Sequence, residues 1–588
     1  GPQAFESGAG GNINIMLISM SRGHPCNLEG NMFNEKNIKG FENFLGNSFD
    51  NLIYEIDVSE EKTASLKAEL LKRADIRAAS QKKQLENPDY IINLEKRSTT
   101  TLLNNYAKAL QGISSGDMPH FSRYFWELPE ISGDWVYWQS TTKNALHYGG
   151  KKSVLWFNDD FKLASDNQQA YIRGMKAWGT QGVVINQMGK LLSTIHTGAK
   201  HDTNCAIVLP HNVQDLPAIW CFCSSPFYND TVRKIDRKVN VTNATLVKVP
   251  FEHAYWSKVA KEAYPHGLPE PYSNDPTQWI FHGHPSRTVL WDEQIKQTIF
   301  GPLRTDDTVL QVAMARLLGY RWPAELDDNL NLAKEQREIV KSCKSLETYS
   351  AKNGIVAIPP VRGEASASDR LLNLLAASYE NTWSTATLNT LLKSVHFTDK
   401  TIESWLREKF FTQHCFLFAE RPFIWHIWDG HKNGFAAFIN YHKLDYKLLE
   451  TLIYTYLGDW ISRQKNDLNK NALEAQELLD AALSLQKKLE MILIGEAPYD
   501  IFVRWKTLEK QTKGWNPDLN DGVRLNIRPF LTVPDVSKYG AGILKDIPDI
   551  NWKKDLGRDH VSSPWYQTFQ GDRVNDHHLT LAEKTKSC

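Results

Sequence analysis

The sequence lacks long apolar runs, an excess of either charge and regularly spaced cysteines. No run of about 18 apolar residues is present, so no membrane span is predicted. Lys plus Arg and Asp plus Glu each number 68 in 588 residues, and this balance argues against a protein that coats nucleic acid non-specifically. The seven cysteines form neither a disulfide framework nor paired zinc motifs. Such sparse usage is typical of the cytoplasm, which is the predicted location.

Familiar catalytic and metal-binding motifs are also missing. The sequence has no G-x-x-x-x-G-K-S/T phosphate loop, no H-E-x-x-H and no Asn-Pro-Pro-aromatic tetrapeptide. Cys221 and Cys223 alternate, as do His282 and His284, but the pairs do not complement each other as a closed zinc site. We therefore predict no catalytic and no metal-binding residue. A complete enzyme of unrecognised type, such as a nuclease, stays an alternative.

The opening residues predict that the chain continues an upstream domain. Residues 13–18 are apolar and have the pattern of a buried strand, and a strand alone is unstable. Residues 1–30 are therefore interpreted as the terminal strands of a preceding domain. Residues 31–110 are interpreted as a helical linker, with helices at 59–83 and 99–110.

The rest of the chain predicts an α+β fold. Short apolar runs separated by turn residues indicate a β-rich domain over 111–260, with one helix at 228–237. Cys221 and Cys223 are assigned to a strand of that domain. A connector with helices is predicted for 261–365, and a mixed, largely helical domain for 366–588.

One segment of the β-rich domain is strongly basic. Five bases and one acid, Asp236, lie between Thr231 and Lys248. Helical spacing places the bases on adjoining faces, and short polar side chains follow in a turn. Phosphates are contacted by Lys, Arg and hydroxyl donors, and base edges by Asn or Arg. The candidate DNA contacts are Arg233, Lys234, Arg237, Lys238, Asn240, Thr242 and Asn243. A solvated helix face is the commoner explanation of such a charge run.

A second segment, GISSGDMPHFSRYFWE, combines a turn with an arginine among aromatic residues. Gly116-Asp117 has turn chemistry. Arg123 is surrounded in sequence by Phe121, Tyr124 and Trp126, which indicates a guanidinium held against aromatic rings. Periodicity alone favours a strand that enters a core over a binding surface.

These segments resemble a known family. The opening GPQAFESGAGGNINIML is similar to the late strands of adenine-specific DNA methyltransferases, and GISSGDMPHFSRYFWE is similar to the opening of their target-recognition domain. Later blocks resemble the long C-terminal extension of the large methyltransferases of BREX, Pgl and DISARM phage-defence islands. Among these blocks are DPTQWIFHGHP, ARLLGYRWPAELD and RPFIWHIWDGHKNGFAAFINYHKLD. The resemblance covers nearly the whole chain.

The resemblance implies a protein in two parts. A catalytic domain would hold S-adenosylmethionine and methylate an extruded adenine, while a recognition domain grips duplex DNA. The cofactor and catalytic motifs of the family would lie upstream of Gly1, so no cofactor is expected in this chain alone and no catalytic residue is carried over. The recognition roles that the resemblance implies fall on Arg123, Lys151, Lys152, Asn186 and Gln187.

The leading hypothesis is therefore the DNA-recognition half of an adenine-N6 methyltransferase used in phage defence. Its expected partners are double-stranded DNA, the catalytic half in the same or a separate chain, and other defence proteins. The alternative is a non-catalytic scaffold that docks other phage-defence proteins through its helical region.

Overall fold

A computed structural model describes most of the chain. The described residues are 52–55, 61, 63–73, 77–80, 101–236, 238–531, 543–551, 558–572 and 578–586. The terminal strands predicted within 1–30 lie outside these residues, as does Arg237.

The described strands pair into five small sheets, and the fold is mixed α+β, as predicted. The strands are β1 (Leu52–Glu55), β2 (Arg77–Ser80), β3 (Ala107–Gln111), β4 (Ser122–Tyr124), β5 (Trp135–Gln139), β6 (Ser153–Trp156), β7 (Gly182–Asn186), β8 (Ser193–His196), β9 (Lys200–His201), β10 (Cys205–Pro210), β11 (Val289–Asp292), β12 (Gln297–Phe300), β13 (Ile355–Ala357), β14 (Ile424–Trp428) and β15 (Ala436–Asn440).

Helices dominate the second half of the chain. The described helices are α1 (Ala64–Arg73), α2 (Met118–Phe121), α3 (Asp159–Asp166), α4 (Leu216–Cys223), α5 (Pro226–Ile235), α6 (Asn243–Val247), α7 (His253–Ala263), α8 (Val309–Leu317), α9 (Pro323–Leu326), α10 (Lys334–Ser342), α11 (Ala367–Tyr379), α12 (Thr385–Ser394), α13 (Ile402–Glu408), α14 (Phe410–Leu417), α15 (Tyr446–Glu450), α16 (Gly458–Asn469), α17 (Ala475–Ile494), α18 (Val523–Asn526), α19 (Arg528–Leu531), α20 (Tyr566–Phe569) and α21 (Leu581–Lys586). None of these described helices is both long and apolar enough to cross a bilayer.

Two four-stranded sheets lie between residues 107 and 210. One has the order β3-β10-β7-β8 and is antiparallel throughout, and the other has the order β4-β6-β5-β9 with a parallel β5–β9 pair. Every residue of β7 is buried. A strand covered on both faces is expected to be apolar along its whole length, which explains the continuous run of Val183, Val184 and Ile185.

A third sheet, of order β13-β15-β14, forms the centre of the later part of the chain. All residues of β14 and β15 are buried. Helix α14 packs against β14, and Trp425 of β14 packs with Tyr441 and Phe530. One cluster of buried apolar residues extends from Leu103 to Ile550, so it continues across the predicted boundaries at 260 and 365.

Three sequence-based assignments are wrong. The predicted 59–83 helix ends at Arg73, and Arg77–Ser80 is a strand that pairs with β1. The predicted 99–110 helix is instead β3, because five residues of β10 pair with it and tertiary pairing overrides a weak local preference. Cys221 and Cys223 lie in helix α4, which is buried on most sides and so shows no helical alternation of polar residues.

The buried ion pair between Arg316 and Glu325 generates a stability prediction. Their side chains are 2% and 3% exposed, Arg316 also donates to the Gly283 carbonyl, and Glu325 accepts from the Trp322 amide. Replacing Arg316 with Met strands a buried carboxylate, and we expect a loss of about 3–5 kcal/mol in unfolding free energy, measured as a lower urea midpoint.

The control is Arg321→Met, because Arg321 pairs at the surface with Glu347. We expect that change to cost at most about 1 kcal/mol. Equal losses in the two variants would contradict the assigned role of the buried pair.

Candidate nucleic-acid interface

The basic segment predicted from sequence forms part of a projecting surface. Helix α5 begins at Pro226, where the Ser225 hydroxyl accepts a hydrogen bond from the Tyr228 amide, and its buried side carries Tyr228 and Val232. Residues four apart share a helix face, so Arg233 and Lys234 are directed away from that core. Lys234 is exposed and Arg233 is half-buried. The helix predicted at 228–237 is thereby confirmed for its described residues.

The loop after α5 is organised by a buried acid. The Asp236 carboxylate accepts hydrogen bonds from the amides of Lys238 and Thr242 and from the Thr245 hydroxyl. Asp236 is 8% exposed. The one acid in the predicted basic strip is therefore turned inward, and the surrounding lysines set the sign of the outward charge.

The β7–β8 turn packs beside this loop. Arg233 donates to the Gly189 carbonyl at 2.6 Å and also to the Lys238 carbonyl. Met188 and Asn240 form a backbone bridge. These contacts join the turn, the helix end and the following loop. We name the resulting surface, formed by Lys190, Arg233, Lys234 and Lys238, the basic ledge.

Polar and apolar groups accompany the lysines on the ledge. Asn240 and Thr242 are exposed, and Asn243 is half-buried. Met188 and Val239 are 51% and 45% exposed. The ledge therefore offers cations, an amide, a hydroxyl and two apolar side chains on a braced backbone. Phosphate and groove contacts with nucleic acid use these groups.

Two predicted amide contacts are corrected by the structure. The Asn186 side chain is 8% exposed and makes two hydrogen bonds with the backbone of Thr142, at 3.0 and 2.7 Å. Gln187 is 4% exposed, and its Nε2 donates to the Val241 carbonyl and to Asn243 Oδ1. Both amides hold loops together and do not reach bases in this conformation.

Arg123 is also buried, which corrects its predicted DNA contact. Its guanidinium carbon lies 5.7 Å from the Trp135 ring centroid and 5.6 Å from that of Trp505. Its Nε donates to the Asn520 carbonyl at 3.0 Å, and its Nη1 donates to the carbonyls of Pro119 and Ser122. Burial lowers the pKa of Arg123 despite nearby carboxylates. Arg123 holds aromatic surfaces together, which is the arrangement that periodicity alone favours.

The two adjacent lysines differ in environment. Lys151 is 0% exposed, its Nζ donates to Gln139 Oε1 and to the Thr197 hydroxyl, and burial lowers its pKa to about 7. The prediction that Lys151 contacts phosphate is therefore corrected. Lys152 is half-buried, lies over the Tyr124 ring and has a pKa lowered by burial. Neither lysine belongs to the basic ledge.

Lys190 belongs to the ledge but is not among the residues predicted from the sequence. Its signal is modest: Met188, Gly189 and Lys190 separate two apolar runs, and Gly189 has φ of +64°, as expected in a tight turn. The turn itself is predictable. Its position beside α5 depends on the Arg233 contact with Gly189, which pattern reasoning does not supply.

Within the described part of the chain, no group of three or more His, Cys, Asp and Glu side chains is arranged to hold a metal ion. His282 instead contacts Asn274, and the Cys343 thiol lies beside the His282 carbonyl. The chain matches no protein-family model and none of the curated proteins with which it was compared.

The burial of Lys151 predicts a pH-dependent stability. Its folded pKa of about 7 lies below the ordinary lysine value of 10.5, so the unfolded chain binds more protons between these values. Stability contributed by this group therefore rises with pH across that window, at up to about 1.4 kcal/mol per pH unit. We expect Lys151→Met to remove this rise.

The measurement is urea unfolding of both proteins over a pH series that starts near the folded pKa of about 7, with the difference in unfolding free energy plotted against pH. Taking the difference cancels the titration of tyrosines and cysteines that both proteins share. A difference that does not change with pH would contradict burial of an uncharged Lys151.

Proposed function

We propose that this chain is the DNA-recognition half of an adenine-N6-specific methyltransferase and that it binds duplex DNA through the basic ledge. The observation that carries the proposal is the inward orientation of Asp236, which leaves Lys190, Lys234 and Lys238 exposed together. Clustered cations release condensed counterions when they approach phosphates, and this release drives binding. The sequence resemblance supplies the methyltransferase context.

The ledge also fits this role mechanically. Its turn is clamped by Arg233, and its loop is held by Asp236 and Gln187. A contact surface that is ordered before binding loses less conformational entropy when the partner arrives. Exposed Met188 and Val239 stand beside Asn240, so phosphate contacts and groove contacts are available on one surface.

In this proposal S-adenosylmethionine is held by the catalytic half. The described sheets fit that division, because among the described strands the only parallel pair is β5–β9, which aligns two residues. Nucleotide-type cofactors are commonly held at the ends of parallel strands that are joined by helices. No residue of this chain is given a role in methyl transfer. A cytoplasmic place among phage-defence proteins belongs to the same proposal.

The test is duplex DNA binding by fluorescence anisotropy over a salt series. Lys190, Lys234 and Lys238 are replaced together by Gln, which nearly keeps side-chain length and removes three charges. We expect the affinity to fall at least about tenfold near 0.1 M salt. The slope of log K against log salt should become shallower by about 0.9 for each phosphate that the variant no longer neutralises.

The matched control replaces three exposed lysines elsewhere, Lys334, Lys341 and Lys344, with Gln. Both triple variants have the same net charge, so only a local effect separates them. Equal weakening in the two variants would contradict the ledge as the binding surface. Absence of binding at low salt by the unaltered chain would contradict autonomous DNA recognition and favour the scaffold alternative.

A further inference from the structure

An aromatic cavity lies apart from the residues of the basic ledge. It has a volume of about 210 Å³, and its aromatic walls are His147, Trp220 and Tyr272. Ser193 and Ser224 complete part of the lining. The walls come from the β5–β6 loop, helix α4 and the connector before β11, so distant parts of the sequence meet here.

Hydrogen bonds fix the walls of this cavity. His147 Nδ1 lies 3.0 Å from the Tyr272 hydroxyl, and His147 Nε2 lies 2.9 Å from the Tyr264 hydroxyl. Trp220 Nε1 donates to the same Tyr264 hydroxyl at 2.9 Å. Trp291 stands behind, with ring centroids 5.6 Å from His147 and 5.4 Å from Tyr264. The rings are therefore braced by one another.

The arrangement of the rings selects the shape of a ligand. The His147 ring is inclined at 38° to Trp220, 54° to Tyr272 and 78° to Tyr264. A flat heterocycle stacks best between near-parallel faces. Rings inclined to each other instead surround a compact group and direct several π faces towards it. A rounded ligand suits this geometry better than a nucleobase does.

The charge around the cavity selects the sign of the ligand. None of the described residues that line it is Lys or Arg. Burial lowers the pKa of His147 to about 4, so its ring is neutral near pH 7. The carboxylate of Glu293 is the nearby charge that acts on His147, Tyr264 and Tyr272. The site is thus aromatic, uncharged at its walls and subject to a negative field.

We infer that this cavity binds a small organic cation of the alkylammonium class. Cations of this kind are attracted to the negative π faces of Trp and Tyr and lose little on leaving water, because their charge is spread over methyl groups. Glu293 adds attraction from the rim. The inference does not depend on DNA binding, since no residue of the basic ledge takes part in it.

The test uses choline as the probe, with 3,3-dimethylbutan-1-ol as its neutral isostere. Binding to the full chain is measured by broadening of the ligand methyl resonance. We expect millimolar binding of choline and at least about fivefold weaker binding of the isostere, which lacks only the charge. Equal binding of the two probes, or no binding of choline at about 50 mM, would overturn the inference. Preferential binding of adenosine would also overturn it.

Two variants locate the binding. Tyr272→Leu removes one aromatic wall and should abolish the choline effect. Glu293→Gln changes a side chain that is 76% exposed, so it should fold normally and weaken choline binding by about two- to fivefold. The control is Glu338→Gln, at an exposed acid of α10, which should leave binding unchanged. Equal effects of the two Glu→Gln changes would overturn the assignment to this cavity.

Discussion

Arg123 lies where three segments of the chain meet, and its guanidinium is satisfied only when all three are in place. Taking a charge out of water costs several kcal/mol. Here the cost is offset by carbonyls of Pro119, Ser122 and Asn520 and by two indole rings. Asn520 is 397 residues away in sequence. The contact therefore ties the late part of the chain to the segment that opens the β-rich region.

Neighbouring contacts extend the same junction. Arg504 pairs with Asp117, and the Glu127 carboxylate accepts from the amide of Val523. The Trp135 indole donates to the Asn520 side chain. Because these partners come from distant parts of the chain, neither segment can bury its own polar groups alone. The segment GISSGDMPHFSRYFWE, which resembles a recognition-domain opening, is thus a structural junction in this fold.

How far sequence patterns reach can be judged from particular elements. The apolar runs of β7 and β10 and the helix that contains Arg233 were predictable, because each has a local signature of burial or spacing. Strand β3 was not, since its residues prefer a strand only when β10 is present. The aromatic cavity could not be predicted either: His147, Trp220 and Tyr272 have no common periodicity, and only the folded chain brings them together.

The burial of the predicted recognition residues changes what specificity can depend on. Asn186 and Gln187 carry the amides suited to reading adenine, yet those amides are engaged in holding the loops on either side of the basic ledge. An amide that braces a loop cannot also contact a base without releasing that loop. Sequence reading by this surface therefore falls to what the bracing leaves outside, namely Asn240 with Met188 and Val239 beside it. The lysines supply affinity for any duplex, because phosphates carry no sequence information.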